Sequence, residues 1–512
     1  MTETYLYERK VNNSTDYNVW FAFPECYSFS LSSLGFLWIN KEFDEMEDIF
    51  VERICTDTTK TKIRPQDVDL VCFSFTFDMD FINIFSILDK YNIPLKSKER
   101  DGKPFVCAGG PVMTANPEPY KDIFDFIIIG DGEGVNTKAV EILKENRDKP
   151  REEVLKLIAQ IDGIYVPYIH NFENKVKKAH TDLSQCVHTP ILSDESFFKD
   201  TFIIETSRGC YNRCGFCLAS YLNLPARFVD YDTIINKIEM GLKYTNKIAL
   251  LGALVSAHPR FHDICDYIYK KIQSGKEIEM SISSLRADTI TPDFVKTLKA
   301  CGQKNVTIAI EAASERLRKV VNKNITEEQL FKAIKVAKEN GLKGFKIYAM
   351  LGLPTETQKD IDEFIRLAKD IKKEFKGFDV TFSFSTFVPK PHTPFQWCAR
   401  ESTKSLEKKE AYLKKELHKI GMNPKFSSAK WDYYQTMISR GDNSITDYLI
   451  EVYKQGGKIG AYKSVAKQLN IDTDKFVTKQ LDLNTNLPWD IIEIYPPKQQ
   501  LINEYKRLMK RA

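Results

Sequence analysis

The sequence predicts an α/β protein made of two parallel-sheet units followed by a mostly helical C-terminal region. Apolar runs of four to eight residues alternate with helix-length stretches, first before residue 150 and again between residues 199 and 398. Parallel strands are buried on both faces and are joined by crossover helices, so this alternation indicates parallel sheets covered by helices. A chain of 512 residues has room for two or three such domains.

We therefore expect four parts along the chain. They are a Rossmann-like, doubly wound parallel sheet over 1–150, a connector over 151–198, a partial (β/α)6 barrel of the TIM type over 199–398, and a helical region over 399–512. The last part begins with a charged helix at 400–425 and carries no metal or nucleophile constellation. We expect it to pack on the barrel and to shape the substrate opening.

Composition narrows the class of protein. Hydrophobic residues make up 43% and charged residues 28%, which is ordinary for a globular protein, and the net charge of +4 alone favours neither nucleic acid nor a membrane surface. The sequence has no run of eighteen apolar residues and no signal-peptide pattern. Together with eleven cysteines, these features predict a cytoplasmic protein in a reducing compartment, without a membrane partner.

In the first unit, glycine-rich loops follow the last two predicted strands. The predicted strands lie near 18–23, 49–55, 68–75, 104–111 and 124–133. The loops contain Gly109, Gly110, Gly130 and Gly132. Ligands of doubly wound sheets bind at the carboxyl ends of the strands, where glycine lets the backbone approach a ligand closely. These four glycines are therefore candidate binding residues.

Four cysteines of the first unit have two interpretations. Cys26, Cys55, Cys72 and Cys107 would be the ligands of a second iron–sulfur cluster, or they are small apolar residues of the core. Cys72 and Cys107 lie inside apolar strand runs, and none of the four belongs to a closely spaced pair. The core interpretation is favoured.

The second unit contains a short cysteine motif directly after its first strand. The strands are predicted at 202–206, 247–252, 278–284, 305–311, 344–351 and 381–388. Cys210, Cys214 and Cys217 are spaced C-x3-C-x2-C, so one loop can hold three irons of a cubic cluster and leave the fourth iron open. Structural zinc sites have four ligands, usually in two pairs, and this motif supplies three. The other alternative is that the three cysteines are close by chance and belong to the hydrophobic core, but a loop that contains glycine and arginine is unsuited to a core.

This motif, with Phe216 before its last cysteine, resembles the radical S-adenosylmethionine (SAM) enzymes, and the resemblance extends over nearly the whole chain. It implies a [4Fe–4S] cluster on the three cysteines, with SAM bound to the open iron through its amino and carboxylate groups. One electron, from a donor such as flavodoxin or ferredoxin, then cleaves SAM to methionine and a 5′-deoxyadenosyl radical. Phe216 is placed among the cofactor-binding residues.

The same resemblance assigns roles to the ends of successive barrel strands. Glu311 would hold a cationic amino group, and His392, in the proline-rich loop after the last strand, is a candidate on the substrate side. The implied cofactor contacts are Gly252, Ser284, Arg286, Glu311, Ser314 and Gly352. The competing interpretation is structural: such arginines are often ion-paired, serines cap strand ends, and a lone histidine usually belongs to the core.

The first unit resembles the cobalamin-binding domain that precedes the barrel in many radical SAM enzymes. The shared sequence motifs are Ala-Gly-Gly-Pro, Asn116-Pro-Glu-Pro and Ile-Gly-Asp-Gly-Glu. No histidine occurs before His170, so this unit cannot supply a histidine as the lower cobalt ligand. The alternative is a Rossmann-like domain without corrin.

Three functions remain open at this point. The first is cobalamin-dependent methylation of an unactivated carbon, and the second is SAM-only radical modification of RNA or a small molecule. The third is a non-catalytic protein that binds a cluster or cobalamin. The substrate and the oligomeric state are not readable from the sequence.

Overall fold

A computed structural model describes residues 3–10, 17–282 and 285–512 of the chain. The elements of the N-terminal unit are β1 (Glu3–Tyr5), β2 (Tyr17–Ala22), α1 (Tyr27–Ser30), α2 (Leu34–Asp44), β3 (Ile49–Ile54), β4 (Leu70–Ser74), α3 (Phe81–Lys90), β5 (Phe105–Gly109), α4 (Pro111–Ala115), β6 (Phe126–Ile128), α5 (Val135–Glu145), α6 (Arg151–Ile158) and β7 (Ile164–Tyr165). The five predicted strands of this unit are therefore present.

Six of these strands form one sheet in the order β3-β2-β4-β5-β6-β7. Neighbours pair in parallel from β3 to β6, and β7 closes the edge antiparallel to β6. Separate hydrophobic cores cover the two faces, one around Phe21 and Leu37, the other around Phe73 and Phe85. The doubly wound sheet is thus confirmed. Cys72 and Cys107, paired in register on β4 and β5, are both buried in it, as the core interpretation requires.

The barrel elements alternate in the predicted way. They are β8 (Val176–Lys177), β9 (Ile191–Ser193), β10 (Thr201–Arg208), α7 (Leu218–Tyr221), β11 (Arg227–Phe228), α8 (Tyr231–Gly241), β12 (Lys247–Gly252), α9 (Phe261–Gln273), β13 (Glu279–Ile282), α10 (Pro292–Ala300), β14 (Asn305–Glu311), α11 (Glu315–Val320), α12 (Glu327–Glu339), β15 (Gly344–Leu351), α13 (Gln358–Glu374) and β16 (Asp379–Thr386), with β8 and β9 preceding the barrel proper.

The described barrel strands pair in two groups, β11-β10-β12-β13 and β14-β15-β16-β17, where β17 is the short strand Lys425–Phe426. Within them β10, β12 and β13 are parallel, as are β14, β15 and β16, so the α/β fold with a partial parallel barrel is confirmed. Outward-facing residues such as Ile248, Ile308 and Ile347 share one core with the surrounding helices. Within each group the carboxyl ends of the parallel strands lie at the same edge, whereas β11 runs antiparallel to β10.

The C-terminal elements do not only pack on the barrel. They are α14 (Thr403–Lys419), β17 (Lys425–Phe426), α15 (Ala429–Arg440), α16 (Thr446–Lys454), α17 (Ile459–Gln468), α18 (Asp474–Val477), β18 (Ile492–Glu493) and α19 (Lys498–Met509). Tyr434, Tyr448 and Tyr462 belong to the same core as Phe85 of the N-terminal unit. Helix α14 lies on the barrel and α19 on the cysteine motif, so the expected position holds for only part of the region. The four-part division of the chain stays a prediction.

Among the described residues, no helix is both long and apolar enough to cross a lipid bilayer.

Candidate functional site

The three cysteines lie in one loop, residues 210–217, between β10 and α7; we call it the cysteine loop. Gly209 enters it with φ near +77°, and a Cβ atom there would meet a backbone oxygen at 2.4 Å, so only glycine fits. Inside the loop, Cys217 donates its backbone N–H to the Cys214 carbonyl at 3.0 Å. The entry turn and this tight turn hold the cysteines in a fixed arrangement.

A side chain that directly follows α11 anchors the cysteine loop. Asn322 donates its side-chain N–H groups to the carbonyl oxygens of Asn212 and Arg213 at 2.9 and 3.1 Å. The backbone carbonyl oxygen of Asn322 lies 3.7 Å from the sulfur of Cys214. Sequence reasoning missed this residue because nothing in its neighbourhood marks it as a partner of a loop more than a hundred residues earlier.

The thiols of the cysteine loop are largely buried. Cys210 is 9% exposed and Cys214 is 8% exposed. Burial raises the pKa of Cys214 to about 12 and also raises the pKa of Cys217. Iron binds the thiolate, and the charge of a bound metal offsets such a burial cost. In the described part of the chain, no three His, Cys, Asp or Glu side chains converge on a single ion; in a cubic cluster each thiolate binds a different iron.

A cavity of about 290 Å³, which we call the cluster cavity, opens in front of these thiols. Phe216 and Arg286, both singled out in the sequence, contribute to its wall. Much of the remaining wall comes from β14, from β15 and from the segment after β12. The residues that line it are Cys210, Asn212, Cys214, Phe216, Cys217, Ala253, Leu254, Leu285, Arg286, Thr307, Ile308, Ala309, Glu311, Lys323 and Tyr348.

Glu311 lines the cluster cavity in a strained conformation. Its φ of +65° lies in the left-handed region, and the β14–β15 register shifts just before it. Non-glycine residues rarely adopt such angles, and they concentrate at functional sites. The carboxylate pairs with Lys323 at 3.0 Å. Burial disfavours the charged amine, but the charge of Glu311 outweighs it and the pKa of Lys323 is raised. An incoming amino group would therefore join or displace Lys323.

Ser314 and Gly352, two further predicted SAM contacts, do not line the cluster cavity. Ser314 caps α11, where its hydroxyl accepts a backbone N–H at 3.2 Å and donates to Asp360 at 2.5 Å. Gly352, with φ near +76°, packs against α14, and a Cβ atom there would meet Leu406 at 2.8 Å. Ser284 lies outside the described residues. Helix capping and tight packing account for Ser314 and Gly352 without a ligand.

A second cavity, of about 610 Å³, lies between the carboxyl edge of the N-terminal sheet and the barrel. We call it the interunit cavity. Five of the predicted glycines line it, and they include one from the barrel that the family resemblance assigned to SAM: Gly109, Gly110, Gly130, Gly132 and Gly252. Residues 207–209, at the end of β10, form its opposite wall, and Ala253 lines both cavities. The cysteine loop and the strand end before it therefore separate the two cavities.

Crowding by the protein's own backbone explains two of the glycines that line the interunit cavity. Gly110 and Gly130 have positive φ, and a Cβ atom would meet a neighbouring backbone oxygen at 2.6 and 2.3 Å. The surrounding backbone alone therefore requires glycine. Better indicators of a ligand are Ser207 Oγ and Trp38 Nε1, which are buried without a hydrogen-bond partner in the described part of the chain. Both residues line this cavity.

Arg208 joins the barrel to the N-terminal unit at the edge of the interunit cavity. Its guanidinium binds Asp131 at 3.1 Å, Glu205 at 2.7 Å and also Glu133. Arg227 binds the other oxygen of Asp131 at 2.9 Å. Burial alone would raise the pKa of Asp131, but the charge of Arg208 outweighs burial, so the pKa of Asp131 is lowered. At Glu205 burial outweighs the contact with Arg208, so the pKa of Glu205 is raised. The acids of the Gly-Asp-Gly-Glu motif thus serve as a clasp between the units.

His392 lies away from the cluster cavity, although it was predicted on the substrate side. It is 4% exposed, has a φ of +57° and interacts with the backbone of Ala115 in the N-terminal unit. Burial lowers its pKa to about 3, so the ring is neutral, and Nε2 has no hydrogen-bond partner among the described residues. The loop that follows forms a short 3-10 turn with Phe395 and Trp397 fully buried. Both rings lie in one apolar core with Trp489 and Tyr505 of the C-terminal region.

The chain matches the profile of the radical SAM superfamily over residues 204–368 and that of radical SAM proteins, N-terminal, over residues 39–167. It is 31% identical over 428 residues to the uncharacterised protein MJ0966 of Methanocaldococcus jannaschii, covering 82% of this chain and 89% of that protein. It is 26% identical over 327 residues to the uncharacterised methyltransferase PH0819 of Pyrococcus horikoshii, covering 59% and 67%.

The fold is similar to that of the cobalamin-dependent SAM radical enzyme OxsB, solved with aqua-cobalamin and SAM bound. The TM-score is 0.53 at 13% identity, and the match covers 96% of this chain and 80% of OxsB. At that identity the likeness shows the fold alone. The profile match and the archaeal relative show the family: this chain belongs to the radical SAM superfamily.

Proposed function

We propose that the cysteine loop holds a [4Fe–4S] cluster that cleaves SAM, and that the protein methylates an unactivated carbon with cobalamin bound in the interunit cavity. One observation carries this proposal. The thiols face the cluster cavity, while residues 207–209, directly before them, face the interunit cavity. Groups bound in the two cavities would therefore be separated only by the end of β10 and the cysteine loop.

The residues around the thiols fit a cluster with SAM. Three thiols leave one iron for the amino and carboxylate groups of SAM. Glu311 lies where it can accept the amino group. Arg286 lines the same cavity, and its guanidinium fork already binds both oxygens of Asp288 at 2.9 Å, so a SAM carboxylate would have to replace Asp288 there. When bound, the cluster and SAM supply a 5′-deoxyadenosyl radical and methionine, and cobalamin supplies the methyl group.

The interunit cavity suits cobalamin, whose flat corrin ring carries amide groups around its rim. Its volume lies within the usual range of small-molecule sites, and Ser207 Oγ and Trp38 Nε1 are open to hydrogen bonds. No histidine is among the described residues that line it, so cobalamin there would take no imidazole from these walls. The names of the two relatives, a methyltransferase and a cobalamin-dependent enzyme, support the proposal.

The proposed chemistry also suggests where the protein works. The chain has eleven cysteines, and all of them are free. Free thiols and an oxygen-sensitive cluster both need a reducing compartment, so we place the protein in the cytoplasm. Flavodoxin or ferredoxin is the proposed source of the electron.

SAM cleavage is tested with the full chain reconstituted anaerobically with iron and sulfide. We expect wild type to bind iron and to form 5′-deoxyadenosine from SAM when reduced with dithionite, and Cys214→Ala to lose both. The control is Cys26→Ala, which removes a partly exposed thiol of the N-terminal unit and should retain both. Retained cleavage in Cys214→Ala would refute the role of the cysteine loop.

Cobalamin is tested separately, by corrin content after incubation with hydroxocobalamin and desalting. Near-stoichiometric corrin supports methyl transfer, and its retention in Cys214→Ala would show that the two sites bind independently. Absence of corrin in folded wild type would overturn the cobalamin part and leave SAM-only modification of RNA or a small molecule.

A further inference from the structure

The inner face of the barrel is divided into a covered half and an open half. On β10 and β12, Ile203 and Ala249 are register partners that point inward. Leu34 and Trp38 of α2, from the N-terminal unit, pack on them together with Val187. This half of the face is therefore apolar and closed.

The other half, on strands β14 to β17, carries polar side chains on which none of the hydrophobic clusters in the described part of the chain packs. Along β15, Phe345 and Ile347 belong to the helix-side core, so Lys346 and Tyr348 between them point inward. Strand register places further hydroxyl and amino groups on the same face. The set comprises Thr307 of β14, Lys346 and Tyr348 of β15, Thr381, Ser383 and Ser385 of β16, and Lys425 of β17. We call this set the hydroxyl groove.

The hydroxyl groove is open to solvent, unlike the interior of a closed barrel. Tyr348 is 43% exposed, and Thr307 and Ser385 are exposed as well. The interior of a closed (β/α)8 barrel is filled by packed side chains. An exposed tyrosine on the inner face therefore marks space that a ligand can occupy.

The cations of the hydroxyl groove have no carboxylate partner. Lys346 donates to the hydroxyl of Tyr348 at 2.9 Å and lies 4.5 Å from its ring centre. Within the described chain, neither Lys346 nor Lys425 forms an ion pair with Asp or Glu, whereas Lys323 above them is bound to Glu311 at 3.0 Å. Asp379 lies on the same face of β16, two residues before Thr381, the register partner of Lys346, and forms no ion pair with either lysine in the part of the chain that the structure describes. The groove thus offers positive charge and hydroxyl groups to an anion.

The hydroxyl groove runs directly into the cluster cavity. Thr307 and Tyr348 belong to both. Register places Ala349 level with Glu311, three residues above Lys346. Because a parallel strand rises about 3.3 Å per residue, a group bound by Lys346 lies roughly 10 Å below the level of Glu311. A small molecule can span that distance.

We infer that the hydroxyl groove binds the substrate, and that the substrate is a small organic anion whose carboxylate or phosphate group pairs with Lys346. The hydroxyls of Ser383 and Thr381 and the amine of Lys425 complete its polar contacts. The remainder of the molecule then extends toward the cluster cavity. This inference rests on the proposed function, because it takes the cluster cavity as the place where SAM is cleaved.

The test is calorimetric titration of the full chain, with and without cluster, against malonate, citrate, inorganic phosphate, pyrophosphate and a single-stranded oligoribonucleotide. We expect at least one small anion to bind with a millimolar or lower Kd. Lys346→Met should weaken it by about tenfold or more, because a charge-assisted contact is lost. Lys346→Arg should retain binding, and Ser383→Ala should weaken it less than Lys346→Met.

The matched control is Lys335→Met, which removes an exposed lysine of α12 that lies 3.9 Å from Glu339. It should bind like wild type. Equal affinities of wild type and Lys346→Met would overturn the inference, as would binding of the oligoribonucleotide alone or of no member of the set. Anion binding that depends on Lys346 in a protein that cannot cleave SAM would uphold the groove and reject the proposed function.

Discussion

The two cavities on either side of β10 are built in different ways. The cluster cavity takes its three thiols from eight consecutive residues, Cys210–Cys217. The interunit cavity takes its walls from residues as far apart as Phe21 and Ala253, and buried ion pairs around Arg208 close one edge of it. The first is a property of one loop, and the second exists only when two units dock. Their stabilities should therefore depend on different residues.

The largest effect on stability is expected from Arg208→Met, which breaks the clasp of the interunit cavity. Glu133 and Glu205 would be left buried without their cation, so the free energy of unfolding should fall by about 3–5 kcal/mol. Urea unfolding followed by circular dichroism measures this.

The control for Arg208 is Arg366→Met. Arg366 also binds three carboxylates, but its side chain is 41% exposed against 15% for Arg208. Water screens and replaces such contacts, so the loss should be about 1 kcal/mol or less. Similar losses in both variants would mean that the clasp does not depend on its burial.

A smaller effect, confined to the cluster cavity, is expected from Gly215→Val. A Cβ atom at Gly215 would lie 2.8 Å from Leu508 of α19 and 2.9 Å from Phe395, so the cysteine loop must shift. Overpacking of this kind costs about 1–3 kcal/mol. Iron content should fall while corrin uptake is unchanged.

Gly460→Ala in α17 is the control, because a Cβ atom there meets nothing within 4 Å. Alanine favours the helix, so this variant should be as stable as wild type or up to about 1 kcal/mol more stable. Full iron loading by Gly215→Val would show that the cysteine loop tolerates displacement and that α19 does not position it.

The smallest effect is expected from the pH dependence of stability, through Glu42 of α2 beside Gly134. Burial raises the pKa of Glu42, which accepts the N–H of Gly134 at 3.3 Å, to about 7 from its ordinary 4.5. The folded state then binds more protons than the unfolded state, so stability is lost as pH rises from 4.5 through about 7. Allowing for solvent screening of a half-buried group, we expect a loss of about 1–2 kcal/mol.

Glu42→Gln should remove this loss and be more stable than wild type above pH 7. Thermal or urea unfolding across that pH range measures the difference. Glu153→Gln, at an exposed position in α6, should keep the wild-type pH dependence. An identical pH dependence of Glu42→Gln and wild type would contradict the assignment.

The positions of most strands could be predicted because apolar periodicity is a local property. Predicted strands at 202–206 and 305–311 correspond to β10 and β14, and the cysteines lie in the loop expected between β10 and α7. The partners of that loop could not be predicted. Asn322 and Lys323 follow α11 without any motif, and they reach the thiols and Glu311 only because the chain turns back there.

The local contacts of other predicted site residues could not be predicted, for the same physical reason. Ser314 and His392 were placed by family resemblance at strand ends, but the structure uses one as a helix cap and buries the other between units. The tyrosines of α15 to α17 carry no sign in the sequence that they belong to the core beside Phe85. Which apolar faces meet depends on the docking of complete elements, and local patterns do not encode it.

By itself, the sequence determined the α/β class, the order of strands and helices, and the spacing of three thiols in one loop, because these depend on residues close together in the chain. The tertiary structure decided that Lys323 pairs with Glu311 and where the interunit cavity lies. It also decided that α2 covers one half of the barrel interior and leaves the hydroxyl groove open. Those features arise from contacts between residues that are distant in sequence, and burial and charge act on them only after the units have packed.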